Sequence, residues 1–566
     1  MVRYLESLSC FCDWLQGDLP QSACHGPLVR LGTLRQETHS DIPVANFITP
    51  APQSNIVRRD ISLGSFSIVF LLFSRVATVM VRLRNKAALI GGFALCCFII
   101  FLILIVKDVF KNLVEDQIKK HTKLKLNGEA FKNWKEPPVP AYLQFYFFHV
   151  ENQLQILQGE RAIVKQLGPY TYKKLRYRGK VSFYNNATVS ATTHRSFIFE
   201  PTMSAGDPRN DLVTTINIPF VTLLQMLKHS GMAKKVIAST LFSLKRNTLF
   251  QTRSVNDWLW GYEDPVLKVG HQLLPSIFPS SQFGFFYQMN GTENGEYLFN
   301  TGQNDYMKFT EIITWNGQKS LNWWASNFCN MINGTDGASF HPLIKKNEKL
   351  YVFAPDICRS FYLTFEKELE VQGINAYRFV LPKETFANDH PSNAGCCPDG
   401  ICPLSGVLNI SVCRQGAPVL ISSPHFYNGD PKLVSDIGGM NPNMEAHQTF
   451  LDIEPMTGIP VRAAKRMQIN LHVESVKYIL QTGQIRTMIL PVLFLNENAI
   501  INDKLAAKLK AALSKMNMAT YIPYIFLSVG ILLCLTSLIM AFVAWRRTEN
   551  QGFGPVNVNL PHVDRH

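Results

Sequence analysis

Two uncharged apolar runs, one toward each end of the chain, most constrain what this sequence can fold into. Ala87 to Val106 contains twenty residues without a charge, enough for an α-helix to cross the ~30 Å hydrocarbon core of a bilayer. The second run, Ile522 to Trp545, also lacks charge. The outer ends of the runs carry basic clusters, formed by Arg82, Arg84 and Lys86 and by Arg546 and Arg547. Because basic residues favour the cytoplasmic side, the pattern predicts a hairpin of two transmembrane helices, at 87–106 and 522–545, with a cytoplasmic tail at 546–566.

The segment between the two runs, residues 107–521, is long and polar enough to form a globular domain with its own core. The predicted topology places this domain in the lumen or outside the cell. The net charge of +14 could indicate nucleic acid or an anionic membrane surface, but no recognition module or continuous basic arm accompanies it. We therefore expect no nucleic-acid binding.

Residues 1–86 precede the first run and predict a disordered cytoplasmic extension. Within them, residues 61–81 are apolar but contain Arg75, which costs roughly 2.5–3.5 kcal/mol at the centre of a membrane helix. This stretch is either a further span or interfacial helix, or it is never made because synthesis begins at Met80. We favour a start at Met80, and detection of peptides from residues 1–60 in the mature protein would contradict it.

Four acceptor sequons for N-glycosylation all fall between the two runs. They are centred on Asn186, Asn290, Asn333 and Asn409. Their distribution agrees with a lumenal or extracellular domain, because glycosylation takes place on that side of the membrane. We therefore predict a glycosylated domain.

Six cysteines cluster between residues 329 and 413 of the same domain. They are Cys329, Cys358, Cys396, Cys397, Cys402 and Cys413. An even set in an oxidising compartment predicts disulfides, although spacing alone allows fifteen pairings. The alternative is a zinc site that uses Cys397 and Cys402, which an oxidising compartment disfavours because it removes free thiolates.

Residue patterns in the domain indicate a mixture of strands and helix. Three segments rich in β-branched and aromatic residues predict strands: Tyr142–Val150, Thr188–Phe199 and Met467–Val473. Residues 220–246 predict one helix instead, because four apolar side chains share a face at 100° per residue. They are Leu223, Leu227, Ile237 and Leu241.

The opposite face of that predicted helix mixes polar and apolar residues. It contains Gln225, Lys228, His229, Met232 and Val236. The apolar members could form a partner-binding patch, or a second helix could cover them; the sequence leaves both interpretations open.

Several motifs carry a family resemblance. These include NWKEPPVP (133–140), LGPYTYKKLR (167–176), LWGYEDP (259–265) and GCCPDGICPLSGVLNISVCRQGAP (395–418). Others are CNMINGTDG (329–337), PHFYNGDP (424–431) and the segments 439–470 and 481–497. Together they resemble the class B scavenger receptor family over nearly everything from the first apolar run through the second, and most closely its lysosomal member.

The resemblance implies a fold and a ligand class. The expected fold class is α+β, with an irregular antiparallel β-barrel capped by an apical helical bundle and traversed by an internal tunnel. In the family, such a tunnel carries cholesterol, phospholipid or fatty acid. By position, residues 220–246 correspond to the enzyme-binding element of the apical bundle, which makes Met232, Val236, Lys228 and Gln225 the expected partner-binding residues. The family also implies the disulfides Cys358–Cys413, Cys397–Cys402 and Cys329–Cys396.

The resemblance implies a partner and a location as well. The lysosomal member binds β-glucocerebrosidase in the endoplasmic reticulum and carries it to lysosomes, so we expect that partner and a lysosomal or late endosomal membrane. That member ends with an acidic dileucine-type sorting signal, whereas residues 546–566 contain no leucine pair. A plasma-membrane scavenger receptor for lipoproteins, phospholipids or fatty acids is therefore the alternative. A homo-oligomer is compatible with either function.

A lysosomal carrier needs an acid-triggered release step, and histidine titrates between neutral and lysosomal pH. His229 is the candidate sensor, because nearby lysines would favour its neutral form. A solvated surface histidine without that role is the alternative. No catalytic motif, cofactor motif or metal site is evident; Glu445 and His447 could suggest an acid–base or metal pair, but their spacing points them apart. We therefore expect a receptor and not an enzyme.

Overall fold

The computed structural model describes residues 86–273 and 279–551, which form two compact units. Among the described residues, one unit comprises 86–114 and 515–551, and the other comprises 115–273 and 279–514. The predictions made for residues 1–85, including Arg75 and a start at Met80, lie outside the described residues. The same holds for tail residues 552–566.

The helices and strands are numbered along the described chain. The helices are α1 (Lys86–Val106), α2 (Val109–His121), α3 (Glu129–Lys135), α4 (Gln153–Leu157), α5 (Ile218–Leu227), α6 (Met232–Leu244), α7 (Val255–Trp260), α8 (Pro265–Leu273), α9 (Asn327–Asn330), α10 (Pro431–Ser435), α11 (Met444–His447), α12 (Asp503–Thr520) and α13 (Ile522–Gln551). The strands are β1 (Ala141–Val150), β2 (Ala162–Tyr184), β3 (Thr188–Phe199), β4 (Leu212–Ile216), β5 (Phe250–Ser254), β6 (Tyr262–Glu263), β7 (Gln282–Phe283), β8 (Thr292–Asn300), β9 (Ile312–Trp315), β10 (Leu350–Ala354), β11 (Arg359–Val371), β12 (Ile374–Val380), β13 (Val407–Asn409), β14 (Val419–Ser422), β15 (Ile437–Gly438), β16 (Phe450–Glu454), β17 (Ile459–Val473) and β18 (Met488–Ile500).

The first unit contains the two apolar helices, α1 and α13. Ala87–Val106 and Ile522–Val543 are each long and apolar enough to cross a membrane. Small residues bring the helices together: a Cβ added at Gly91 would lie 3.1 Å from the Ser537 hydroxyl oxygen. Ser537 Oγ also donates a hydrogen bond of 2.8 Å to the Ala87 carbonyl. The helix pair agrees with the predicted hairpin of anchors.

The second unit is built around one large sheet. Its strand order is β10-β11-β12-β16-β17-β18-β1-β2-β3-β8-β9, and neighbours along this path are antiparallel. Strands β13 and β14 extend it beside β17, and β15 pairs in parallel with β2. The three strands predicted from sequence are present as β1, β3 and the second half of β17.

A short segment joins the two ends of this sheet. At the β9 end of the sheet, the Ile312 amide donates a hydrogen bond of 2.8 Å to the Gly334 carbonyl. At the β10 end, the Thr335 amide donates a hydrogen bond of 3.1 Å to the Tyr351 carbonyl, and the Phe353 amide donates one of 2.9 Å to the Thr335 carbonyl. Gly334 has φ +82°, and a Cβ there would lie 2.0 Å from the Tyr351 carbonyl oxygen. The sheet is therefore a nearly closed antiparallel barrel, as predicted.

Three disulfides stabilise the part of the second unit that contains the cysteine cluster. They are Cys329–Cys396, Cys358–Cys413 and Cys397–Cys402. These are the pairs that the family resemblance implies. Because all six sulfurs are in disulfides, none is available as a zinc thiolate.

Candidate functional site

Helix α5 is fixed to the core of the barrel domain at its first turn. Asn217 is fully buried and caps the helix, because its side-chain oxygen accepts a hydrogen bond of 3.2 Å from the Phe220 amide. Its side-chain nitrogen donates to Asn247 at 2.5 Å. Phe220 and Leu224 then pack into the same hydrophobic cluster as Phe145 of β1. This helix is therefore a rigid base for the residues that follow it.

The prediction of one helix over residues 220–246 is wrong. The chain forms α5 and α6, separated by residues 228–231, and Gly231 takes an extended conformation at the start of α6. Because the helix is interrupted, residues of α6 do not continue the 100° spacing of α5. The four apolar residues predicted to share one face therefore do not form a continuous face. Leu223 and Leu227 pack against the core, whereas Ile237 and Leu241 are 62% and 47% exposed.

Helix α6 presents an apolar face to solvent. The residues of this face, named the α6 face below, are Met232, Val236, Ile237, Leu241 and Leu244. All five are at least 44% exposed, and Leu244 reaches 72%. Ile237, Leu241 and Leu244 lie opposite the buried residues Ser239 and Phe242, through which α6 packs, whereas Met232 and Val236 lie on the side of the helix nearer to Ser239. An exposed apolar helix face of this kind is typical of a docking surface.

Polar contacts on the buried side of α6 hold the helix in place. The Ser239 hydroxyl donates to the Gln481 side-chain oxygen at 3.1 Å, and it accepts from the Leu480 amide at 3.2 Å. The Gln481 side-chain nitrogen donates to the Ser243 hydroxyl at 2.7 Å. Phe242 also meets Phe220 edge to face, with ring centroids 4.9 Å apart. The α6 face is therefore exposed on a helix whose orientation is fixed.

The other predicted partner-binding residues lie beside the α6 face. Gln225 is exposed at the end of α5, and His229 is exposed in the connection between the helices. Lys228 is partly buried and pairs with Glu474, with its amino nitrogen 2.6 Å from the carboxylate. Sequence reasoning missed Glu474, which is more than 200 residues away along the chain. It also missed Ile237, Leu241 and Leu244 as exposed residues, although their spacing with Met232 and Val236 on one half of a helix was a usable signal.

The structure brings His447 against a second histidine, His425. His447 is buried and stacks on His425, with ring centroids 4.5 Å apart and planes 12° apart. The His425 Nδ1 accepts a hydrogen bond of 3.0 Å from the Asn441 amide. The His447 Nδ1 accepts one of 2.9 Å from the Asn443 amide. These two histidines, named the histidine pair below, therefore both carry their proton on Nε2 and are neutral.

Burial lowers the pKa of each member of the histidine pair to about 4. For His447, the neighbouring His425 and Arg466 contribute to this lowering. Charging either ring would turn its Nδ1 into a donor that faces a backbone N–H. Burial and hydrogen bonding thus both favour the neutral form of the two histidines.

The predicted glycosylation sites occupy different parts of the barrel domain. Asn186 is exposed in the turn between β2 and β3, and Asn290 is exposed shortly before β8. Asn333 lies beside the segment that closes the barrel, and Asn409 ends β13. Among residues 86–273 and 279–551, no group of three histidine, cysteine, aspartate or glutamate residues could hold a metal ion.

Comparisons with known proteins identify the family of this chain. The CD36 family model matches residues 92–541. Lysosome membrane protein 2 of Rattus norvegicus is 43% identical over 474 residues, which cover 84% of this chain and 98% of the relative. Lysosome membrane protein 2 of Homo sapiens is 45% identical over 442 residues, or 78% of this chain and 92% of the relative.

A second group of relatives is more distant. Scavenger receptor class B member 1 of Cricetulus griseus is 36% identical over 462 residues, which cover 81% of this chain and 90% of the relative. The CD36 family model covers most of both apolar helices and the barrel domain between them. The resemblance to the class B scavenger receptors is thereby confirmed, and the chain belongs to the CD36 family.

Proposed function

We propose that this chain is a lysosomal membrane receptor that binds β-glucocerebrosidase and carries it to lysosomes. The similarity to lysosome membrane protein 2 supports the location, because it extends over 98% of the rat relative. The barrel domain then faces the lumen, with transit through the endoplasmic reticulum. In this function the protein acts by binding and transport and not by catalysis.

The observation that carries the proposal is the exposed α6 face. Burying one large apolar side chain stabilises a complex by about 1.5–3 kcal/mol relative to leaving it in water. The contacts of Ser239 with Gln481 fix the helix, so little conformational freedom is lost when a partner docks. Gln225 and Lys228 would form the polar rim of the interface, and Met232 and Val236 its apolar part.

The second part of the proposal is passage of cholesterol or phospholipid through a tunnel in the barrel domain. The nearly closed antiparallel barrel supports it, because such a barrel can enclose an internal space between its two ends. The family membership of the chain supports it as well. Lipid binding is thus a second activity of the same domain, separate from the α6 face.

Binding of β-glucocerebrosidase to the full chain in lipid nanodiscs tests the first part. We expect binding at about pH 7 that weakens at about pH 5. The double variant Ile237→Ser and Leu241→Ser should weaken binding at least 100-fold, because it removes two exposed apolar contacts. Leu154→Ser is the matched control, since Leu154 is 74% exposed on α4. Equal binding by the double variant and the wild type would disprove docking at the α6 face.

The role proposed for His229 is tested in the same assay. Protonation of His229 would add positive charge beside Lys234 and Lys235 and weaken the complex. We expect His229→Gln to retain at about pH 5 the affinity that the wild type has at about pH 7. If His229→Gln loses affinity on acidification as the wild type does, His229 is not the sensor.

A cell-surface scavenger receptor for lipoproteins, phospholipids or fatty acids is the second candidate function. It is favoured by the lack of a leucine pair in residues 546–566 and by the similarity to scavenger receptor class B member 1. The steady-state location of the tagged full chain separates the two candidates. Co-localisation with a lysosomal marker supports the carrier, and predominant labelling by surface biotinylation supports the scavenger receptor.

A further inference from the structure

One of the predicted glycosylation sites lies at the tip of a hairpin, beside an aromatic side chain. Residues Asn185, Asn186 and Ala187 connect β2 to β3, and Tyr184 pairs with Thr188 across the hairpin. Ala187 has φ +61°, so the connection is a three-residue hairpin loop whose last residue is left-handed. Because Tyr184 and Thr188 are directly opposite each other, their side chains lie on the same side of the hairpin.

The side chain of Asn186 turns back toward this pair. Its Oδ1 accepts a hydrogen bond of 2.6 Å from the Thr188 hydroxyl. Asn186 is exposed, so its Nδ2, the atom that carries an N-linked glycan, is accessible. Transfer from a lipid-linked pyrophosphate donor forms a bond between Nδ2 and C1 of the first sugar, breaks the bond between C1 and the pyrophosphate oxygen, and releases one amide proton. Oδ1 keeps its place in the product, so the hydrogen bond from Thr188 is compatible with an attached glycan.

The ring of Tyr184 extends from its own strand along β3. Its hydroxyl oxygen is 3.3 Å from the Ser190 hydroxyl oxygen, two residues beyond Thr188. Thr188 and Ser190 are buried, whereas Tyr184 is 50% exposed. One face of the ring therefore covers these two residues, and the other face remains open to solvent next to Asn186.

The other three predicted sites lack this arrangement. The residue two positions before the asparagine is not aromatic in any of them: it is Gln288 for Asn290, Met331 for Asn333 and Val407 for Asn409. The Asn290 side chain is held by the backbone of β3 instead. Its Oδ1 accepts a hydrogen bond of 2.9 Å from the Phe197 amide, and its Nδ2 donates one of 3.4 Å to the Phe197 carbonyl. An exposed ring opposite the sequon threonine thus distinguishes the Asn186 site.

The turn that contains Asn186 also anchors a distant part of the barrel domain. The Ala187 carbonyl accepts hydrogen bonds from the Thr301 amide at 3.0 Å and from the Thr301 hydroxyl at 2.7 Å. The Thr301 carbonyl accepts one of 2.9 Å from the amide of Leu124, which is fully buried. Ala187 makes these contacts in the left-handed region, which side chains with a Cβ rarely adopt. A contact that stabilises the turn therefore also stabilises the attachment of Leu124.

We propose that the glycan on Asn186 packs its first sugar, an N-acetylglucosamine, on the exposed face of the Tyr184 ring and so stabilises the β2–β3 turn. The C–H hydrogens on one face of a pyranose ring are slightly positive, and the face of an aromatic ring is negative, so the two surfaces attract each other. This glycan would then be a structural part of the barrel domain. The inference is independent of enzyme binding and lipid passage, and it rests on the predicted glycosylation of Asn186.

Hydroxyl-radical footprinting of the full chain in nanodiscs, read by mass spectrometry, tests this contact. Protein with oligomannose glycans is first treated with an endoglycosidase that leaves only the first sugar on each asparagine. We expect Tyr184 to be oxidised about twofold more slowly in the wild type than in Asn186→Gln, because the sugar covers one face of the ring. Tyr177, which is 47% exposed on the same strand, should be oxidised equally in both. Asn290→Gln is the matched control, and it should leave the oxidation of Tyr184 unchanged.

The same mass spectra decide the outcome. Equal oxidation of Tyr184 in the wild type and in Asn186→Gln, with the sugar present on Asn186 in the wild type, would overturn the proposed packing. Absence of a sugar on Asn186 in the wild type would overturn its premise. Either result leaves binding of β-glucocerebrosidase unaffected, so failure of this inference is distinguishable from failure of the proposed function.

Thermal unfolding measures whether the contact stabilises the turn. Tyr184→Ser should lower the unfolding midpoint by about 2 °C more in protein that carries the first sugar than in the Asn186→Gln background, where the sugar is absent. An equal decrease in the two backgrounds would mean that Tyr184 acts only through its contact with Ser190. The sugar would then contribute nothing to the stability of the turn.

Discussion

Two polar clusters in the same barrel domain are held in opposite protonation states. One is the histidine pair, and the other, named the charged layer below, is a group in which Asp336 pairs with Arg176 and Arg178 and Glu497 pairs with Lys174. In the charged layer, burial raises the pKa of Asp336, but Arg176 and Arg178 lower it by more, so the carboxyl stays ionised. In the histidine pair, burial and backbone donors keep both rings neutral. The difference arises from the neighbours: cations surround the first cluster, and amide N–H groups meet the second.

The comparison predicts which cluster responds to acid. A carboxyl whose pKa is lowered by folding contributes stability above its unfolded pKa of about 4, and this stability is lost only below that pH. A histidine whose pKa is lowered by folding costs stability once the pH falls below the unfolded value of about 6.5. Acidification from about pH 7 to about pH 5 should therefore act on the histidine pair and spare the charged layer.

The largest effect is expected from Asp336→Asn. The substitution leaves Arg178 buried without its counter-charge, which should reduce the free energy of unfolding by about 3–5 kcal/mol. The loss should be similar at about pH 7 and about pH 5, because the carboxylate is ionised at both. Urea denaturation of the full chain in nanodiscs at the two pH values measures it.

Asp436→Asn is the matched control for that substitution. Asp436 pairs with Lys432 at the surface, at 2.7 Å within one helical turn, and such pairs contribute less than about 1 kcal/mol. A loss in Asp336→Asn as small as that in the control would mean that water or an anion compensates Arg178 within the charged layer.

The next effect concerns the histidine pair. The wild type should lose about 2 kcal/mol of unfolding free energy per buried histidine between about pH 7 and about pH 5, given folded pKa values of about 4. His447→Gln removes one titrating ring, so the loss on acidification should shrink by about that amount. Urea unfolding curves measured at intervals of half a pH unit give the slope of unfolding free energy against pH.

Met444→Gln is the control for the histidine pair, because Met444 is exposed on the same helix as His447 and does not titrate. It should leave the dependence of unfolding free energy on pH unchanged. An unchanged slope in His447→Gln would contradict the assignment of acid sensitivity to the pair.

The smallest effect is expected from Lys465→Gln. Because Lys465 has no ion-pair partner among the described residues, its removal should change the free energy of unfolding by less than about 1 kcal/mol at either pH. A loss as large as that of Asp336→Asn would show that Lys465 is a structural counter-ion.

Much of the fold could be predicted from the sequence, because the signals were local. Uncharged runs of about twenty residues predicted α1 and α13, and β-branched and aromatic segments predicted β1, β3 and part of β17. The six cysteines predicted disulfides, and the family motifs supplied the pairing. These features depend on residues within one element or on a short motif.

The rest was hidden by a short local break in a helix or depends on residues that are distant in sequence. The break between α5 and α6 comes from residues 228–231, and a helical wheel drawn through them cannot reveal it. The charged layer joins Lys174 to Glu497, and the histidine pair joins the loop before β15 to α11 after it. Basic and apolar residues alternate along β2 from Lys174 to Arg178. The sequence does not say which side is buried, and only the structure shows that the basic side faces inward.

The order of strands in the barrel has a consequence for biosynthesis. Strand β1 ends at Val150 and pairs with β18, which begins at Met488. At ordinary rates of translation, the apolar edge of β1 waits on the order of tens of seconds for its partner to be made. During that time the nascent chain exposes an unpaired strand that invites aggregation. The first half of the domain therefore stays prone to aggregation until the last strand emerges.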